Sequence, residues 1–261
     1  EAVQRINGLA EDDYRIELAV GETFVISAPL ALNQNTVLAG NGAVIAGIDA
    51  TQTTPPDVGI LVSVGAEDVD LQDMTIRDFP IGILATSEGG CLDLVNVTVE
   101  NCGTGLDLAE TYQLQVDLGA SVIQSCETGV RFAAGSSSNV VREGVIRANT
   151  GDGIRFEGGN ETPDNNRVEN VAVQDNAGNG IAVYDGAENV LTGNQITGNN
   201  TSRASYGGVA VFDGGTSINA NLISGNQCYG IYADEALSTQ PVDATNNDWD
   251  DTSGPFHPVT N

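Results

Sequence analysis

Gly82-Ile83-Leu84-Ala85, Gly105-Leu106-Asp107-Leu108, Gly129-Val130-Arg131-Phe132, Gly153-Ile154-Arg155-Phe156, Gly180-Ile181-Ala182-Val183, Gly208-Val209-Ala210-Val211 and Gly230-Ile231-Tyr232-Ala233 are seven copies of one short phrase. Each is a glycine followed by alternating apolar and variable residues. The glycines stand at 82, 105, 129, 153, 180, 208 and 230, so the spacings are 23, 24, 24, 27, 28 and 22 residues. A period in this range marks a repeat architecture. Strict alternation marks a strand with one buried and one exposed face. No 3.6-residue apolar pattern lies between the copies, which excludes βαβ units and leucine-rich repeats. The period fits one turn of a parallel β-helix.

Small polar residues recur four places before the glycines: Asp78, Asn101, Ser125, Asn149 and Asn226, with Asp175 and Asn199 in the two longer coils. A second column holds Asp73, Asn96, Asn170, Asn194 and Asn221, interrupted by Ala120 and Gly144. Stacked coils lie about 4.8 Å apart. Asparagine amides at that spacing can hydrogen-bond along a column, and asparagine tolerates the left-handed backbone of a tight bend. Both columns are therefore expected at corners.

These observations predict an all-β, single-stranded right-handed parallel β-helix of about nine coils. The 261 residues form one domain: an N-terminal cap and first strands at 1–34, coils at 35–241 and a C-terminal cap at 242–261. Residues 1–9 carry Ala2, Val3, Ile6 and Leu9 at helical spacing, so a short helix is expected to cover the open end of the core. Uncovered, that end would expose a strand edge. Insertions at 158–166 and 199–207 predict loops on one face. Trp249, Phe256 and the nearby prolines are expected to close the far end.

The chain holds 36 acidic residues against 9 basic ones, a net charge of −27, and every basic residue is arginine. Such a surface repels nucleic acid and anionic membrane, and it repels itself at low salt. The acidic excess without lysine resembles proteins of extreme halophiles, particularly haloarchaea; the alternatives are a calcium-loaded surface and an unusually acidic secreted protein of a mesophile. It predicts loss of structure on dilution from molar salt, where the Debye length is ~3 Å. No apolar run is long enough to span a membrane.

Asn35-Thr36-Val37-Leu38-Ala39-Gly40-Asn41-Gly42-Ala43-Val44-Ile45 resembles the opening of right-handed β-helix proteins of the pectin-lyase-like superfamily. The Asn-x-Ile-x-Gly-Asn coils and the ending Ala244-Thr245-Asn246-Asn247-Asp248-Trp249 with Ser253-Gly254-Pro255-Phe256-His257-Pro258 resemble the NosD-like, carbohydrate-binding-and-sugar-hydrolase group. The resemblance covers nearly the whole chain and implies a fold shared by lyases, hydrolases, epimerases, adhesins and scaffolds. It also implies export, so an extracellular or cell-surface location is expected, with a polysaccharide or surface glycoprotein as partner.

Enzymes of this superfamily act on a sugar chain lying along one parallel sheet. On the strands opened by glycine, the outward positions give Asp107, Arg131, Arg155, Glu157, Tyr184 and Phe212. Arginine can neutralise a uronate, and a carboxyl with a raised pKa can act as acid or base. Asp107, Arg131, Arg155 and Glu157 are thus the catalytic candidates. Tyr184, Phe212, Arg131 and Arg155 are the candidates for substrate contact. The same residues read equally as surface ion pairs, Asp107–Arg131 and Arg155–Glu157, beside a Tyr184–Phe212 stack. No lysine is present, and the aspartate patterns of polygalacturonases and alginate epimerases are missing. No obvious acidic pair at a hydrolase's spacing is visible, and Asp152, in Gly-Asp-Gly, reads as a turn former. The expectation is therefore a non-catalytic scaffold for glycan or protein contact. Its rivals are a polysaccharide lyase or glycosidase acting on an acidic glycan, and a structural module of a larger surface protein or viral appendage.

Asp185 and Asp213 hold equivalent places in adjacent coils and could share Ca²⁺ or simply form turns. Asn160, Asn199 and Asn200 lie in glycosylation sequons within the insertions; the sequon at Asn96 falls in a corner column and is expected to be less accessible. Cys102 and Cys126 fall in neighbouring coils, within bridging distance or as a stack of thiols. Cys91 and Cys228 are far apart, and with one histidine, His257, no zinc site is expected.

Overall fold

The structure, a computed structural model, describes residues 14–33, 35–48, 54–63, 66–159, 161–212, 215–234 and 241–250. The helix expected at 1–9, and Phe256 and His257 of the end cap, lie outside the described residues.

A right-handed parallel β-solenoid of about nine turns winds through these residues, which contain no helix. Nine strands form the front sheet: Leu30–Leu32, Val58–Val62, Ile81–Ala85, Thr104–Leu108, Thr128–Phe132, Ile154–Phe156, Ile181–Val183, Gly207–Val211 and Tyr229–Ala233. Every neighbouring pair is parallel. The back of the solenoid is a 15-stranded sheet. Its early strands, Thr36–Ala46, Asp68–Arg77 and Cys91–Glu100, are long and bend at Asn41, Asp73 and Asn96. In later coils the bend separates two three-residue strands, such as Gln115–Asp117 and Val122–Gln124.

The repeated glycines are required by close approach between coils. A Cβ on Gly105 would lie 2.7 Å from the carbonyl oxygen of Gly129, and one on Gly129 only 2.4 Å from that of Gly153. Gly82, Gly153, Gly180 and Gly208 repeat the relationship, each against the next glycine's oxygen. Gly59 begins the column one coil before the first sequence repeat, with a Cβ position 2.7 Å from the Gly82 oxygen.

Inside, Ile83, Leu106, Val130, Ile154, Ile181 and Val209 are fully buried. Phe132 and Phe156 stack within the core, 4.4 Å between centroids and 3° from parallel. Trp249 and Val242 pack against the core at its far end.

The corner columns need correction. Asp78, Asn101, Ser125, Ala148 and Asp175 hold left-handed backbone, φ 52–65°, continued by Gly198 and Gly225. Asn149, Asn199 and Asn226 belong one residue further on, with Asn176, and point inward. Oδ1 of Asn149 accepts the backbone N–H of Cys126, and Asn176, Asn199 and Asn226 each accept from the previous member, all at 2.9–3.1 Å. Each of Asn149, Asn176 and Asn199 also donates its side-chain N–H to the next Oδ1 at 2.8–2.9 Å. Asn170 is likewise a left-handed bend, whereas Asn194, Asn221 and Asn247 form a second inward ladder. A third ladder, Asn139–Asn166–Asn189, was not foreseen.

Cys102 and Cys126 are buried free thiols, which donate to the carbonyls of Glu100 and Gln124 at 3.3 and 3.4 Å. The neighbouring Cys126 thiol and then burial push the Cys102 thiol up.

Candidate functional site

The front sheet's register stacks Leu84, Asp107, Arg131, Arg155, Ala182, Ala210 and Tyr232 in one outward column. Asp107 is 1% exposed and receives Nε of Arg131 at 2.9 Å on one oxygen and NH2 on the other. This bidentate pair fixes the guanidinium, and the bond to Asp107 raises the Arg131 pKa above its ordinary value.

Arg155 lies between two carboxylates. Its Nε donates to Asp152 at 3.1 Å and its NH1 to Glu157 at 3.3 Å. Burial disfavours its charge, but the carboxylate of Asp152 and then Tyr184 and Glu157 outweigh this, so its pKa still rises. Asp152 is not merely a turn former: its side chain is 4% exposed and fully engaged. Oδ1 accepts the backbone and side-chain N–H groups of Asn179 at 2.8 and 3.0 Å, and Oδ2 also accepts the Tyr184 hydroxyl at 3.3 Å. The sheet thus has carboxylates on both sides of Arg155.

An aromatic run follows. The Arg155 guanidinium sits 4.9 Å over the Tyr184 ring, and Tyr184 stacks on Phe212 at 5.0 Å, 1° from parallel. Both faces of Tyr184 are therefore occupied. Burial first, then the Asp152 charge, pushes the Tyr184 phenol upward. Tyr206 meets Phe212 edge-on at 5.1 Å and 73°, and stacks on Tyr232 at 4.1 Å; Tyr229 lies 5.8 Å from Tyr232. Tyr206 was missed because it lies in the insertion rather than in a strand. Tyr232 is the outward residue of the terminal copy of the repeat, Gly230–Ala233, and Tyr229 stands immediately before that copy.

Other candidates fall elsewhere. Asp185 accepts the Gly158 N–H at 3.2 Å, and Asp213 lies outside the described residues. No group of three or more metal-ligating side chains occurs among the described residues. Asn199 and Asn200 are fully buried. Asn199 belongs to the inner ladder, and Asn200 donates to the carbonyls of Ser205 and Gln227. Neither nitrogen has room for a glycan, which corrects the expectation of exposed loop sequons there. Asn160 is outside the described residues, while Asn96, expected to be less accessible, is exposed, because its left-handed bend turns it out at the corner.

The family described as right handed beta helix region matches residues 81–248. The chain belongs to the right-handed β-helix family. No curated protein matches it in sequence. Among solved structures it is similar to the A-module of mannuronan C-5 epimerase AlgE4 from Azotobacter vinelandii, with 17% identity and a TM-score of 0.58 over 91% of this chain and 84% of that one. Pectate lyase Pel9A gives 16% and 0.54 over 94% and 71%. The ORF18 protein of Geobacillus virus E2 gives 17% and 0.52 over 95% and 58%. At these identities the likeness is one of fold. In this β-helix the front sheet carries the Asp107–Arg131 and Asp152–Arg155 ion pairs and the aromatic run.

Proposed function

We propose that this protein is an exported or cell-surface β-helix scaffold, adapted to high salt, whose front sheet contacts a glycan or a glycan-bearing protein without catalysis. The observation that carries the reading is saturation. Asp107 is held by Arg131, and Arg155 by Asp152 and Glu157. A base or acid for sugar chemistry needs a free proton site at working pH. The upward push on the Tyr184 phenol keeps it protonated. The epimerase and lyase among the structural neighbours support glycan contact as the use of this sheet, and the resemblance to the NosD-like group and to haloarchaeal proteins points the same way.

A second reading, a lyase or glycosidase of an acidic glycan, is favoured by one feature: a buried aspartate bonded to both an arginine and a tyrosine hydroxyl. A polysaccharide panel in high salt, followed for binding, reducing ends and unsaturated uronates, separates the two. Binding without turnover supports the scaffold. Turnover that disappears in Arg155→Ala overturns it.

A further inference from the structure

We propose that the sugar-contacting subsite of the front sheet is the platform of Tyr206, Tyr229 and Tyr232, and that it takes the face of an uncharged pyranose rather than a uronate. The inference rests on the glycan reading above and adds the place and the sugar class.

Stacking geometry fixes the place. Tyr184 has the Arg155 guanidinium on one face and Phe212 on the other, so neither face is open to a ligand. Phe212 has Tyr184 on one side and is approached by Tyr206 at 73°. Beyond it, Tyr206 and Tyr232 cover one face of each other at 4.1 Å, and Tyr206 and Tyr229 are 37% and 44% exposed. Four of the chain's six tyrosines lie in this one run, although aromatic residues make up only 5% of the sequence. Exposed rings grouped in this way offer flat apolar area with a polar rim, which suits the C–H face and hydroxyl edge of a sugar ring.

The platform is also held in advance of binding. Asn179 Oδ1 accepts the backbone N–H groups of Tyr206 and Gly207 at 2.9 and 3.1 Å. Within the same loop, Asn200 donates to the Ser205 carbonyl at 2.9 Å and accepts the Ser205 N–H at 3.0 Å. A ring fixed by its backbone loses little freedom when a ligand arrives.

Charge decides the sugar class. Arg131 and Arg155, which would attract a uronate, already face three carboxylates: Asp107, Asp152 and Glu157. The carboxylate of Asp234 lies close enough to Tyr232 to help burial raise that phenol's pKa. The whole chain carries −27. Arg203, exposed in the platform's loop, is a single cation against this field.

The test titrates the intact chain with neutral hexasaccharides of glucose, mannose, galactose and xylose, and with hexamers of galacturonate and mannuronate, by calorimetry in about 0.5 M salt, where surface charges are screened but not abolished. Saturable binding of a neutral hexamer is expected, with the uronates weaker by roughly tenfold or more. Tyr206→Ala and Tyr229→Ala should each weaken it roughly tenfold, as loss of an aromatic anchor does. Tyr206→Phe should restore binding, and Arg203→Ala should leave it unchanged. Tighter binding of a uronate, or neutral binding that survives both alanine variants with unchanged circular dichroism, overturns the inference but keeps the glycan reading. No binding of any hexamer sinks the glycan reading and this inference with it.

Discussion

Asp152 and Asn179 are joined through one oxygen: Oδ1 of the aspartate accepts both the backbone and the side-chain N–H of the asparagine, at 2.8 and 3.0 Å. Asn179 in turn holds the backbone of Tyr206 and Gly207. A buried carboxylate between coils thereby fixes the start of the strand Gly207–Val211 and the ring that precedes it.

Asp152→Ala removes the acceptor of two Asn179 donors and one of the two acids on Arg155. Buried donors left unmet cost about 1–3 kcal/mol, so a loss of about 3 kcal/mol is expected in denaturant unfolding, with faster amide exchange around Tyr206. Asp152→Asn keeps an acceptor for Asn179 and should lose less. Equal losses in the two variants would mean that Asn179 does not depend on that oxygen.

The glycine column makes an equally direct prediction. Gly129→Ala forces a Cβ to within 2.4 Å of the Gly153 oxygen and 2.5 Å of Ile146 Cγ2. The coils must part locally, at a cost of about 1–3 kcal/mol or more. Gly159→Ala, where nothing lies within 4 Å, should be nearly neutral. Thermal unfolding of the two variants side by side checks this.

The fold was legible because the glycine column is a backbone constraint that recurs whatever the side chains around it do. Counting back from those glycines worked as far as Ser125 and then slipped. From Ala148 onward most coils carry one residue more between bend and glycine, so Asn149 was aligned with the bend at Ser125 when it stacks inward below Cys126. The ladder of Asn139, Asn166 and Asn189 lies far from any glycine of the column and had no anchor. At the site, in-register pairs such as Asp107–Arg131 could be read from the period. The roles of Asp152 and Tyr206 could not, because both depend on Asn179, which reaches them from a neighbouring coil.

Asn199 tests the ladders. Its Oδ1 accepts the backbone N–H of Asn176 at 3.1 Å and its side-chain N–H at 2.8 Å, and its own amide donates to Val173 and Asn226. Asn199→Ala leaves both Asn176 donors buried without an acceptor and opens a gap in the column. A loss of about 2–4 kcal/mol is expected from desolvated groups and lost contacts together. An unchanged melting temperature would show that the amides contribute shape alone.

On the back sheet, Asp93 lies in register between Asp70 and Asp117. Burial first, then the charges of Asp70 and Asp117, raise its pKa above the usual carboxylate value. The folded state therefore holds this proton more tightly than the unfolded one, so stability falls as pH rises through Asp93's range. Asp93→Asn should raise the melting temperature at pH 7, and the gain should vanish below the ordinary carboxylate pKa. A gain that persists at low pH would assign the effect to packing rather than charge.

The central claim is that the front sheet, at its tyrosine end, is the surface this protein uses. Hydrogen–deuterium exchange of the intact chain with and without a saturating glycan hexamer measures this most directly. The account predicts added protection in peptides spanning 206–212 and 229–233, with none in the back-sheet strands Asp68–Arg77 and Cys91–Glu100. Protection concentrated on those back-sheet strands, with the tyrosine end unchanged, would contradict it.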